Sequence, residues 1–146
     1  MNWPRLVEPS YPREDKMKYL ITAATVLVAS QASANEPYGL WQTITDETGA
    51  HLLVDIHPCA DAAEKLCSTF KEVVNSDNPA AKELIGRAIF WNMEKVEDNR
   101  WENGTVYDVL TDTEYDARVT LGKTAIRVEG CVSGFCDGQN WKRPAD

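Results

Sequence analysis

The sequence predicts an all-β fold: a small antiparallel up-and-down β-barrel of about eight strands, with one short helix at most. Three observations predict it. Apolar and polar residues alternate with period two along most of the chain beyond residue 38. Turn-forming clusters punctuate the alternation at short intervals. Helical spacing is confined to one short stretch near 79–85, entered at Asn78-Pro79.

The clearest strand is 51–57, where Leu52, Val54 and Ile56 share one face and His51, Asp55 and His57 the other. Residues 115–121 alternate strictly, as do 124–129, and only Gly122-Lys123 separates them, a two-residue hairpin signal. Further strands are predicted over 38–45, 66–74, 88–96, 101–108 and 139–143. Asp46-Glu47-Thr48-Gly49 and Glu97-Asp98-Asn99 read as turns. A closed barrel removes the exposed strand edges that invite aggregation. An outer-membrane barrel does not fit, because His51, Asp55, Asp116, Arg118, Arg127 and Glu129 give the alternating strands a charged outer face.

The chain has 146 residues, 43% hydrophobic and 26% charged, a composition that suits one ordinary domain and excludes collagen-like or wholly disordered chains. Lys+Arg total 15 against 23 Asp+Glu, a formal charge of −8 with no basic run, so there is no electrostatic footprint for nucleic acid. Lys16 and Lys18, the uncharged run 20–29 and Ala32-Ser33-Ala34 together read as a secretory signal peptide over 17–34, cleaved after Ala34. The run is too short for a membrane-spanning helix. Residues 1–16 are polar and proline-rich, and read as a disordered upstream extension or a long n-region. The working domain is therefore 35–146, with no membrane span, located in the periplasm or secreted.

Cys59, Cys67, Cys131 and Cys136 all lie in that domain. An even count in a small exported chain reads as two disulfides, with three connectivities possible. Nearest-neighbour pairing, Cys59–Cys67 and Cys131–Cys136, suits the arms of a hairpin or a tight loop. The intervals do not match zinc-site spacing.

Gly39-Leu40-Trp41 opens the domain on its first strand, and Trp141-Lys142-Arg143 closes it on the last. This resembles the arrangement in lipocalin-type barrels, where the arginine lies over the tryptophan ring and seals one end through a cation–π contact. Gly39, Trp41, Trp141 and Arg143 are thus expected to close the barrel. Further signatures are Pro58-Cys59 with Leu66-Cys67, Asp77-Asn78-Pro79, Val106-Tyr107-Asp108, Gly130-Cys131 with Phe135-Cys136, and Gln139-x-Trp141-x-Arg143. As a set, from Gly39 to Arg143, they resemble the bacterial domain-of-unknown-function family 2147. The resemblance implies an exported, lipocalin-like barrel and brings no established chemistry. The Cys59–Cys67 loop is a few residues longer than usual for that family, and after Tyr107-Asp108 the stretch Val109-Leu110-Thr111 replaces the Pro and Gly often found at that place.

Catalytic signals are sparse. His51, Asp55 and His57 share an outer face with no third convergent ligand, which reads as solvated surface rather than a metal site. No Gly-x-Ser-x-Gly is present, and paired cysteines make no nucleophile. A carboxylate-based activity is the one enzymatic exception; otherwise the chain reads as a non-enzyme without cofactor. A barrel interior is a natural site for a small apolar or amphipathic ligand. The inward residues are Leu52, Val54, Ile56, Ile89, Trp91, Met93, Tyr115, Val119, Ile126 and Val128, with Phe90 competing with Trp91 for its place. Trp91, Met93, Tyr115, Val54, Val119 and Val128 are the expected ligand-lining set. The alternative is an envelope protein-interaction module, an inhibitor or assembly factor, whose core is simply filled.

Overall fold

The structure, a computed structural model, describes residues 36–145. The expected signal peptide over 17–34, its expected cleavage after Ala34 and the stretch 1–16 lie outside the described residues. The elements run β1 (Gly39–Gln42), β2 (His51–Pro58), β3 (Leu66–Val74), α1 (Pro79–Lys82), β4 (Phe90–Trp91), β5 (Glu94–Glu97), β6 (Arg100–Asp108), β7 (Thr113–Leu121), β8 (Ala125–Val132) and β9 (Phe135–Lys142). All named strand pairs are antiparallel, in the order β3-β2-β1-β9-β8-β7-β6-β4, with β5 also on β6.

The ring closes at two seams. First and last strands meet at Gln42 and Lys142. On the far side β3 meets the segment around β4 through bridges Leu66↔Met93 and Thr69↔Ala88. Leu66 and Met93 exchange both backbone bonds, at 2.9 and 3.1 Å. Between the two bridges the buried Ser68 hydroxyl donates to the Phe90 carbonyl at 3.3 Å and accepts from the Phe90 N–H at 3.0 Å. One side chain thereby replaces a missing strand partner. Ser68→Ala is expected to leave both Phe90 groups unpaired in a dry interior and to cost about 1–3 kcal/mol, measured by urea unfolding.

The predicted 88–96 strand is broken. Asn92 adopts a left-handed backbone (φ 55°), and opposite it Asn103 does the same (φ 61°) at a register shift in β6. Asparagine tolerates this region better than most residues. The break shifts the parity, so Phe90 and Met93 both point inward and Trp91 does not. Trp91 is half-buried and lies outside the core, which corrects its expected inward place. The break divides the strand into β4 and β5 along one edge of β6, so nine strands fill about eight positions around the barrel. Gly104 lets β6 pass directly beneath: a Cβ there would strike the Trp91 carbonyl and the Met93 sulfur and N–H.

Other boundaries move less. Helix α1 is one turn, capped by Asn78, whose carboxamide oxygen accepts from the Ala80 N–H at 3.0 Å. The loop between β7 and β8 includes Thr124, so it is one residue longer than the hairpin signal, with the Gly122 N–H bonded to the Ala125 carbonyl at 2.8 Å. The last strand begins at Phe135 rather than near 139. Both expected disulfides are present. Cys59–Cys67 staples the β2–β3 connection, and Cys131–Cys136 joins directly opposed residues of the β8–β9 hairpin.

The core runs from Trp101, Leu121, Met93 and Leu66 at one end to Val106, Ala117 and Phe70 toward the other. Trp141 points inward and stacks on Phe90, ring centroids 6.3 Å apart. Outside, Glu97, Arg100, Glu102 and Arg118 form a chain of ion pairs of 2.7, 3.3 and 3.1 Å, the charged face that the alternation predicts.

Candidate functional site

The sealed flank is built from β1 outward. This strand has four residues and meets β9 at one register pair. The Arg143 guanidinium takes over where the ladder stops. Its Nη1 donates to the carbonyls of Tyr38 (2.9 Å) and Leu40 (3.1 Å), and its Nη2 to that of Glu36 (2.9 Å). Its Cζ stands 3.9 Å from the centroid of the Trp41 ring, which is 3% exposed and donates from Nε1 to the Pro37 carbonyl at 2.7 Å. Gly39 adopts φ +98°, and any Cβ there would press on Nη1 at 3.3 Å. Partial burial lowers the Arg143 pKa from its ordinary value. Gly39, Trp41 and Arg143 form this closure together; Trp141, expected to share it, is instead a core residue stacked on Phe90, with Nε1 donating to Gln139 Oε1 at 3.2 Å.

The expected lining set separates. Val54, Met93, Val119 and Val128 are buried within the packed core. Trp91 is outside it. Tyr115 alone stands where the core thins. There, at the end reached by the β1–β2, β6–β7 and β8–β9 turns, Leu52, Leu84, Val109 and Tyr115 pack on the core yet remain half-buried. Ala117 faces Gly130 across β7 and β8, and the Tyr115 ring lies against the bare face of that glycine. A Cβ on Gly130 would meet Tyr115 Cβ at 3.1 Å and Cγ at 3.3 Å. Two small inward residues thus leave room that one ring occupies. Two clefts, of about 290 and 350 Å³, flank Gly122-Lys123 at the opposite end, and Leu121 is the one core residue that lines either.

Polar groups around the loop end are held by their own turns. Asp46 accepts from the hydroxyl and N–H of Thr48 and the N–H of Ala50, and these bonds, the Thr48 hydroxyl first, lower its pKa. Tyr107 donates to Asp112 at 2.7 Å, which raises the phenol pKa, while Arg87 sits 4.6 Å from its ring centroid. On the outer face His57 uses both ring nitrogens, on the Pro58 carbonyl and the Thr69 hydroxyl, each at 2.8 Å. Among the described residues no three His, Cys, Asp or Glu side chains are grouped for a metal ion.

The family model described as "Uncharacterized protein conserved in bacteria (DUF2147)" matches residues 39–143. The chain belongs to the DUF2147 family. That span runs from the glycine beneath Arg143 to Arg143 itself, so the family match and the barrel closure share their limits. The DUF2147 fold is also similar to a solved structure, protein HP1028 from the human pathogen Helicobacter pylori, described as belonging to the lipocalin family. The two chains are 17% identical with a TM-score of 0.57, over 77% of this chain and 85% of that one. The likeness establishes a lipocalin-like barrel. No curated protein matches the DUF2147 chain in sequence. Sequence reading missed Ser68 at the second seam and Gly130 beneath Tyr115; an isolated serine or glycine in an alternating strand was the available signal.

Proposed function

We propose that this is an exported, non-enzymatic carrier or sensor that admits a small apolar or amphipathic molecule through the loop end of the barrel. The observation that carries this reading is the half-buried apolar layer of Leu52, Leu84, Val109 and Tyr115 above a fully buried core. Tyr115 is the gate. Turned off Gly130, it uncovers space above Ala117 and Gly130 into which an apolar tail fits, while a polar head stays beside the turns. The rest of the interior, Val54, Met93, Val119 and Val128, forms the floor.

Titration with an uncharged naphthylamine dye tests the site. Tyr115→Ala is expected to bind it roughly tenfold more tightly than wild type, since the ring no longer competes for the space. Gly130→Val, which fills that space, is expected to abolish binding. The filled-core alternative, a protein-interaction module, predicts no dye binding by any of the three. It draws on the close packing around Val54 and Val119. Native mass spectrometry of protein purified from its own envelope would identify the natural ligand.

Export rests on the 17–34 leader signal and on two disulfides that need an oxidising compartment. N-terminal sequencing of the exported protein is expected to return Asn35; Met1 or Met17 would refute the assignment.

A further inference from the structure

Besides Ile44 in the β1–β2 connection, which is 59% exposed, four large apolar side chains stand in water at the loop end. Ile85 follows α1, Leu110 lies in the β6–β7 turn, and Val132 and Phe135 face each other at the tip of the β8–β9 hairpin. They are 49%, 86%, 56% and 83% exposed. Alternating strand directions bring all three connections to the same end of the barrel.

The turns that display them are built rather than loose. Cys131–Cys136 ties the residue pair next to Val132 and Phe135. Asp108 accepts from the Leu110 N–H and the Thr111 hydroxyl, both at 2.9 Å, and Asp112 accepts from Tyr107. Ordered turns that hold a leucine and a phenylalanine in water mark an interaction surface.

We propose that this end of the barrel docks on a neutral or zwitterionic lipid surface, the four side chains entering the boundary between headgroups and chains. The tips sit on separate connections, and a lipid boundary accepts separate tips independently. Charge selects the kind of surface. The same end carries Asp46, Glu47, Asp77, Glu83, Asp108 and Asp112 against Lys82 and Arg87, and Lys82 is paired to Asp77 at 3.6 Å. An anionic membrane repels such a rim. A second copy of the chain would bring its own acidic rim against it. The docking does not rest on the ligand reading and stands whether or not the barrel takes cargo.

Vesicle flotation of the protein purified from an exporting bacterial host tests it. Wild type is expected to float with phosphatidylcholine vesicles, and added phosphatidylglycerol to lower the bound fraction at low salt. The double variant Leu110→Ser with Phe135→Ser is expected to lose binding roughly tenfold or more, with its melting temperature unchanged. A control pair at the other end, Tyr38→Ser with Leu40→Ser, is expected to float like wild type. No flotation with either lipid, tighter binding to the anionic vesicles, or equal loss in both double variants would overturn the proposal. So would a dimer in sedimentation that the Leu110/Phe135 pair disperses.

Discussion

Trp41→Ala is expected to destabilise the protein by about 3–5 kcal/mol, the cost of deleting a buried aromatic ring. The ring is 3% exposed, anchored to Pro37 through Nε1 and covered by Arg143. A small domain has about 5–15 kcal/mol in all, so the variant should sit close to unfolding at room temperature. Arg143→Lys separates the ring from its cover. Lysine keeps the charge but cannot stack flat or serve the carbonyls of Glu36, Tyr38 and Leu40 at once. About 1–2 kcal/mol should be lost. Urea melts of both variants decide the matter, and a Trp41→Ala protein as stable as wild type would refute the closure.

Gly138→Ala is the second large effect. The new methyl would collide with the Val128 carbonyl and stand 2.7 Å from the Glu129 Cα on the neighbouring strand. Backbone cannot swing aside as a flexible side chain does, so β8 and β9 must separate locally. The expected cost is about 3 kcal/mol or more, at the upper end of overpacking effects. Gly86→Ala and Gly134→Ala introduce a methyl into open space, with strain arising from positive φ alone. Parallel thermal melts should show Gly138→Ala as clearly the most damaging of the three.

The strands that could be read directly are those with one dry and one wet face. In 115–121 the alternation is complete and in 51–57 only Leu53 interrupts it, and each became a strand with the expected inward row. The family signatures and the cysteine spacing fixed the hairpins that the disulfides staple. Legibility ended where a single backbone torsion decides the outcome. Asn92 at φ 55° moves Met93 onto the same side as Phe90, and no composition rule distinguishes that asparagine from one in an ordinary strand. The site was legible in part for a related reason. Inward parity identifies Val54, Val119 and Val128 but not their depth along the barrel, and depth separates them from Tyr115. Depth follows from register, which the pairing of distant strands sets.

The Arg143 clasp also governs when the barrel can exist. Its three carbonyl partners lie 103, 105 and 107 residues earlier in the chain. The hairpins of β6 to β9 pair near neighbours and are free to form early, whereas the seam between β1 and β9 demands that almost the whole domain be present. Until Arg143 has been added to the growing chain, Trp41 has no lid and β1 only half its partners. The incomplete chain therefore stays open along this seam. Closure becomes a signal of completeness written into the fold.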